Sequence, residues 1–198
     1  MLPSGRIIDL TQPLGPGTLL WPGSPSVEFT DVGSIAEDGY FARMASLPEH
    51  AGTHLDAPAH FDPDGATADG IPAERLVVRC MVLDAAARCH EDPGTRIGAA
   101  EIEELEHAHG AIEPGSALLL RTGWARCRDD PEAFFGTADG GTSMRFPGFD
   151  TSAADFLVAR GAVGVGTDTL SVDPGEATDF PAHKVTLPAG LWHLEGLV

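Results

Sequence analysis

His50-Ala-Gly-Thr-His54-Leu-Asp56-Ala-Pro58-Ala-His60-Phe61 places three of the chain's eight histidines and one aspartate within eleven positions. The polar residues fall at 50, 54, 56 and 60. In an extended segment, side chains two apart share a face, so His50, His54, Asp56 and His60 would converge on one point. A helix would also bring His50 and His54 together at i,i+4. Gly52 and Pro58 argue against a helix through the run, because both are poor in helix interiors. Neutral imidazole and carboxylate are the donor set of a zinc-type or manganese-type site. The alternative is a polar loop of hydrogen-bonded surface histidines. Clustering of ligand types this dense favours the metal.

Working outward, Phe41 to Leu47 leads into the run as a strand, with Val27 to Thr30 as its partner in a hairpin or meander. Thr11 to Ser26 is rich in Pro and Gly and reads as a loop. Trp21 within it is either a pocket wall or a plug at the edge of the core, and the residues alone leave both open. Gly5 to Leu10 reads as a short strand. Downstream, Asp62-Pro63-Asp64-Gly65 is a turn signal without the spaced acidic ligands of a calcium loop. Leu76 to Asp84 is nearly all apolar and predicts a strand buried on both faces. Ile97 to His109 predicts a helix with Ile102 and Leu105 facing in and its glutamates facing out. His107 and His109 at its end suit the helix dipole and solvent rather than a metal.

Ser116 to Arg121 predicts a second buried strand, followed by Thr122-Gly123-Trp124. Residues 128–147 read as a polar excursion over the surface. Thr151 to Arg160 has helical periodicity with Thr151 as N-cap, and Ala162 to Val165 predicts a short strand. This alternation points to a single α/β domain over residues 1–198, with a partly parallel sheet and a site at the C-terminal ends of its strands. His183 and Glu195, near the end, are two further donors of uncommitted role when taken alone.

Acidic residues outnumber basic ones 30 to 12, giving a formal charge of −18. Such a surface repels phosphate backbones and anionic membranes, so nucleic acid is not an expected partner. No apolar run is long enough for a transmembrane helix, and the first twenty residues lack the pattern of a signal peptide. Cys80, Cys89 and Cys127 fit reduced thiols in the cytoplasm. Gly-x-Ser-x-Gly and His-Glu-x-x-His are both missing, which removes two common hydrolase chemistries.

His50-x-Gly-Thr-His54-x-Asp56-x-Pro-x-His60 resembles the signature of the metal-dependent cyclase family, which includes bacterial kynurenine formamidase and isatin hydrolase. Asp9-Leu-Thr-Gln-Pro-Leu with Trp21-Pro-Gly resembles that family's N-terminal loop. Arg121-Thr-Gly-Trp resembles its central strand end. Gly166-Thr-Asp-Thr-Leu-Ser-Val-Asp173, Pro181-x-His183 and Leu194-Glu195 resemble its C-terminal half. The resemblance implies a compact α/β fold of the swivelling β/α/β type with a mixed sheet. It implies a pair of divalent ions, zinc or else manganese. His50, His54 and Asp56 would hold the first ion; His183 and Glu195 would hold the second, with Asp56 bridging and Glu195 touching both. His60 would be the general acid/base and Trp21 would line the substrate pocket. His193 has no family counterpart and falls outside this ligand set.

The resemblance also implies a further strand and a Pro/Arg-containing tail after the glutamate, whereas the sequence given ends three residues past Glu195. That predicts a weakened last element and an unpaired sheet edge beside it. The implied chemistry is attack of metal-bound hydroxide on an amide, formamide, lactam or ester carbonyl. His60 would relay the proton, a task suited to a group titrating near neutrality. The N-terminal loop and Trp21 look most like the formamidase branch, which makes N-formylkynurenine the first expected substrate. An isatin-type lactam or lactone hydrolase, an isomerising cyclase and a non-catalytic metal-binding relative are the alternatives. The family further implies a homodimer.

Overall fold

The computed structural model describes residues 5–137 and 143–198. In chain order these form β1 (Glu28–Gly33), α1 (Ile35–Asp38), β2 (Ala42–Ser46), β3 (His54–Asp56), β4 (Cys80–Asp84), α2 (Ala86–Glu91), β5 (Arg96–Ile97) and α3 (Ala99–His109). Then come β6 (Ala117–Arg121), α4 (Pro131–Phe135), β7 (Gly148–Phe149), α5 (Thr151–Ala159), β8 (Gly164–Thr167), α6 (Pro181–Thr186) and β9 (Trp192–Glu195). The main sheet has the order β3-β9-β8-β6-β4. Strands β4, β6, β8 and β9 run parallel, and β3 closes the sheet antiparallel to β9. The expected mixed α/β architecture is present.

Alternating apolar positions explain the core. Leu118 and Leu120 on β6 and Val165 on β8 pack with Ile102 of α3 and with Ala153, Ala154 and Leu157 of α5. Each buried leucine of this kind contributes roughly 1.5–3 kcal/mol. Ile102 faces in as its helical spacing requires, and Glu101 accepts from the Gly98 backbone N–H at the helix start. The α5 helix begins one residue earlier than expected. Asp150, not Thr151, is its N-cap and accepts from Ala153 N–H at 3.0 Å. Both residue types cap well, so local chemistry alone does not choose between them.

Other expectations are corrected. Residues 5–10 form no strand; they run as an exposed segment, and Leu10 C=O accepts from Val198 N–H. Of Leu76–Asp84 only Cys80–Asp84 is strand. It lies at the sheet edge with Val82 52% exposed, and Val77 before it is 76% exposed. An apolar run indicates a strand but does not say whether a neighbour covers it. The next strand begins at Gly164, not Ala162. Residues 128–147 are not a mere surface excursion. Phe134 of α4 and Phe146 are buried with Trp124 in a second apolar cluster, and Trp124 Nε1–H donates to Phe134 C=O at 2.8 Å. Part of that stretch, 138–142, lies outside the described residues.

The last strand is paired on both sides, while its neighbour β3 lies at the end of the sheet. Strand β9 sits inside the sheet, flanked by β3 and β8. Beyond it, Gly196 N–H donates to Thr169 C=O. Gly196 C=O accepts from Gln12 Nε2–H at 3.1 Å and from Thr53 Oγ1–H at 2.6 Å. Gly52 and Gly196 both have φ +65, and a Cβ on Gly196 would lie 2.5 Å from Gly52 O. Glycine is required there by both conformation and close approach.

Candidate metal centre

The β3–β9 ladder brings the two ends of the sequence reading together. Its register pairs His54 with Glu195 and Asp56 with His193. Residues directly opposite across a ladder share a face, so four polar side chains project from one patch of sheet. His60 arrives differently from its expected extended path. Pro58–His60 is a 3-10 turn, and it folds the imidazole back over the strand. His60 and His50 ring centroids lie 4.1 Å apart. His183 comes from the buried face of α6, where Pro181 occupies the first turn.

The two carboxylates divide the histidines into an outer and an inner group. In the outer group, Asp56 Oδ1 lies 2.7 Å from His50 Nδ1 and 3.1 Å from His54 Nε2. Glu195 Oε2 is 3.6 Å from His54 Nε2. In the inner group, His183 Nε2 lies 3.3 Å from Asp56 Oδ2 and 3.6 Å from Glu195 Oε1. His193 Nδ1 lies 3.8 Å from Asp56 Oδ2. Each carboxylate therefore turns one oxygen to each group. One donor atom from each of Asp56, His183, His193 and Glu195 lies within 4.8 Å of the others; His50, Asp56 and His60 form a second such cluster.

The outer nitrogens of the buried rings are anchored. His54 Nδ1–H donates to Gly52 C=O at 3.0 Å, and His183 Nδ1–H donates to Asp173 Oδ2. Asp173 also accepts from Ala182 N–H and His183 N–H, which fixes the start of α6. Such anchoring turns the second nitrogen of each ring toward the cluster, the usual arrangement behind a metal-ligating histidine. Among the described residues, His54 Nε2 and His193 Nδ1 are buried without a hydrogen-bond partner. Buried polar atoms of this kind are rare unless something else satisfies them.

Electrostatics point the same way. Burial raises the Asp56 carboxyl, but the neighbouring His183, His50 and His54 imidazoles hold it far below the usual carboxylate range. Burial, and then repulsion from Asp56, pushes Glu195 up to about 7. Burial opposes the His183 imidazolium, yet Asp173, Asp56 and Glu195 outweigh it and raise its pKa to about 10. Burial likewise opposes protonation of His54, and the carboxylates of Asp56 and Glu195 carry it upward. Burial keeps His193 well below its ordinary value and lowers His60, with Asp56 acting against the shift in both. The patch is a buried well of negative potential lined by imidazole nitrogens. It fits divalent cations of the zinc or manganese type.

The cluster forms the floor of a cavity of ≈ 350 Å³. Trp21, Phe61, Leu170 and Phe180 supply its apolar walls, while His50, His54, Asp56, His60, His183 and Glu195 supply its polar groups. Trp21 lines the cavity, packed against Phe180 with ring centroids 5.7 Å apart, and also packs at the edge of the Trp124–Phe134–Phe146 cluster. A larger groove of ≈ 520 Å³ beside β4 and α3 contains no comparable constellation and is more open. Every residue singled out from the sequence reaches the site. The sequence reading assigns no role to Asp173, Phe61 or Phe180, and it sets His193 aside for want of a family counterpart. His193 was detectable by the argument used for the first motif, since it lies two residues from Glu195 on one strand.

The profile of the family described as "Putative cyclase" matches residues 8–174. A kynurenine formamidase of Salinibacter ruber is 31% identical over 206 residues, covering 97% of this chain and 82% of that protein. An isatin hydrolase of Roseibium aggregatum is 31% identical over 197 residues, covering 91% of this chain and 74% of that protein. A solved isatin hydrolase bound to the product analogue thioisatinate superposes with a TM-score of 0.87 at 30% identity, covering 96% of this chain and 79% of that one. Another, described as a potential metal-dependent hydrolase with cyclase activity, gives 0.70 at 26% identity over 97% of this chain and 81% of that one. Fold, cluster and relatives together define a metal-dependent α/β hydrolase. The chain belongs to the cyclase family and is an enzyme of it.

Proposed function

We propose that the protein hydrolyses an aryl formamide C–N bond, with N-formylkynurenine as first substrate and kynurenine and formate as products. The observation that carries this reading is the convergence of His50, His54, Asp56, His60, His183 and Glu195 on the floor of one aromatic-walled cavity. His50, His54 and Asp56 hold an outer ion. His183, Asp56 and Glu195 would hold an inner one, with Asp56 common to both and Glu195 turned toward both groups of histidines. Zinc is the first choice and manganese the second. A bound divalent ion lowers the pKa of a coordinated water toward ~7 and polarises the substrate carbonyl.

The chain's own residues do the rest. Trp21, Phe61 and Phe180 sandwich the aryl ring and exclude bulk water from the reacting carbonyl. The His60 imidazole takes one proton from the attacking water and delivers it to the departing amine nitrogen as the C–N bond breaks. The formyl carbon leaves as formate. Asp173 keeps His183 oriented throughout.

Opening of an isatin-type lactam is the second reading, favoured by the superposition on an isatin hydrolase holding thioisatinate. Steady-state rates of the metal-loaded enzyme on N-formylkynurenine and on isatin decide between them. Faster turnover of the formamide supports the first reading, and faster ring opening supports the second. Turnover of neither overturns both.

The protein also works as a homodimer in this proposal. Support comes from the β1–β2 hairpin, which exposes Val32, Tyr40, Phe41 and Met44, with Ile35 beside them. Exposed apolar surface of this extent marks an interaction face. Light scattering that returns a monomer at assay concentration would rule the dimer out.

A further inference from the structure

We infer that His193 is a fourth protein donor to the inner cation, through Nδ1. This rests on the proposal that the cluster holds two ions. Thr186 Oγ1 lies 2.7 Å from Ala182 C=O and 2.7 Å from His193 Nε2. A carbonyl only accepts, so the single hydroxyl proton of Thr186 goes to Ala182. The contact to His193 is then a hydrogen bond only if Nε2 carries the proton and Thr186 oxygen accepts it. That fixes the ring as the Nε2–H tautomer and leaves a bare lone pair on Nδ1.

The bare nitrogen is in an unusual place. His193 is fully buried, and Nδ1 has no hydrogen-bond partner among the described residues. Asp56 Oδ2, itself an acceptor, lies 3.8 Å away. Two buried acceptors facing each other without a donor are costly. A cation between them removes the conflict. The four donor atoms of Asp56, His183, His193 and Glu195 lie within 4.8 Å of one another. Metal–ligand bonds of about 2.0–2.2 Å hold donors up to roughly 3.6 Å apart in a tetrahedral site, so loading draws the cluster in slightly. The β3–β9 register places His193 directly opposite Asp56, so this approach is built into the sheet.

The consequence is a division of labour. His193 does not line the cavity; it lies beneath the cluster. With it, the inner ion has four protein donors, the number that closes a tetrahedral site. An outer ion beside His50, His54 and His60 would face the cavity, while the inner one would supply charge and hold Asp56 and Glu195 in place.

The test compares wild type, His193→Leu, His193→Asn and Thr186→Val by chelator competition, metal content and the visible spectrum of the Co2+-loaded protein. In His193→Leu the inner ion is lost or its affinity falls by more than the roughly 10–100-fold typical of an outer-layer change. Its Co2+ spectrum loses the contribution of one site. His193→Asn, which can place a donor near Nδ1, recovers part of the affinity. Thr186→Val removes the anchor and weakens the inner ion by ~10–100-fold. If His193→Leu does not fold, Thr186→Val carries the test alone: a fall in affinity supports the inference and an unchanged affinity overturns it. Two ions in wild type with unchanged affinity and spectrum in His193→Leu overturn the role of His193 only. Fewer than two ions in wild type overturn the two-ion reading beneath it.

Discussion

The outer and inner halves of the centre share Asp56 and Glu195 and differ in almost everything else. The outer half comes mainly from one continuous run, His50 to His60, and opens to the cavity. The inner half comes from His183 on α6 and His193 on β9, and it is buried with its rings anchored by Asp173 and Thr186. The family profile also separates them: it spans the outer run and ends at 174, before His183, His193 and Glu195. The half of the patch that opens to the cavity is specified locally, whereas the buried half needs strand register and a second layer of hydrogen bonds.

Asp56 belongs to both halves, so Asp56→Asn should do the most damage. Both ions are lost and kcat/KM falls by roughly 10⁴-fold, about 5.5 kcal/mol at 1.36 kcal/mol per tenfold. Retention of either ion with normal affinity would break the claim that this carboxylate joins the halves. His60 lies with the outer half and, in the proposed mechanism, holds no ion. His60→Ala therefore keeps its metal content and loses about 10²–10⁴ in kcat. Undiminished turnover would remove it from the mechanism.

Asp173→Asn sharpens the comparison from the other side. It removes the charged anchor of His183, so chelator competition should show inner-ion affinity down by ~10–100-fold and outer-ion affinity unchanged. Equal weakening of both ions would mean that the halves are not separable. The smallest effect lies away from the centre. Glu106 on α3 accepts two hydrogen bonds from Arg160 at the end of α5, at 2.8 and 2.9 Å, and one from Ile112 N–H. The Arg160 contact holds its carboxyl below the ordinary value. A lowered carboxyl contributes stability above its unfolded pKa, and that contribution is lost as pH falls through the folded value. Glu106→Gln should thus lower Tm by a few degrees at neutral pH without altering metal content, and the two melting curves should converge in acid. A gap that persists at low pH would assign the effect to packing.

The sequence made the outer half legible because its donors are close in the chain and of few chemical kinds. His183 and Glu195 entered only through the family resemblance, since single donors far apart in sequence say nothing about meeting in space. His193 obeyed the same alternation as His54 and Asp56 but lacked a family counterpart. The fold shows the same divide. Alternation found β6, and helical spacing found α3 and α5. The apolar run at Leu76 to Asp84 misled, because its composition matched a central strand while its place is an edge. Phe134 and Phe146 were hidden in a polar stretch whose few apolar residues close a second cluster around Trp124.

The central claim is that two cations share Asp56 and Glu195. Elemental analysis of protein purified without chelator, with Asp56→Asn in parallel, tests it most directly. The account predicts about two equivalents of zinc or manganese per wild-type chain and essentially none in the variant. Wild-type protein that carries no metal even after reloading would contradict it.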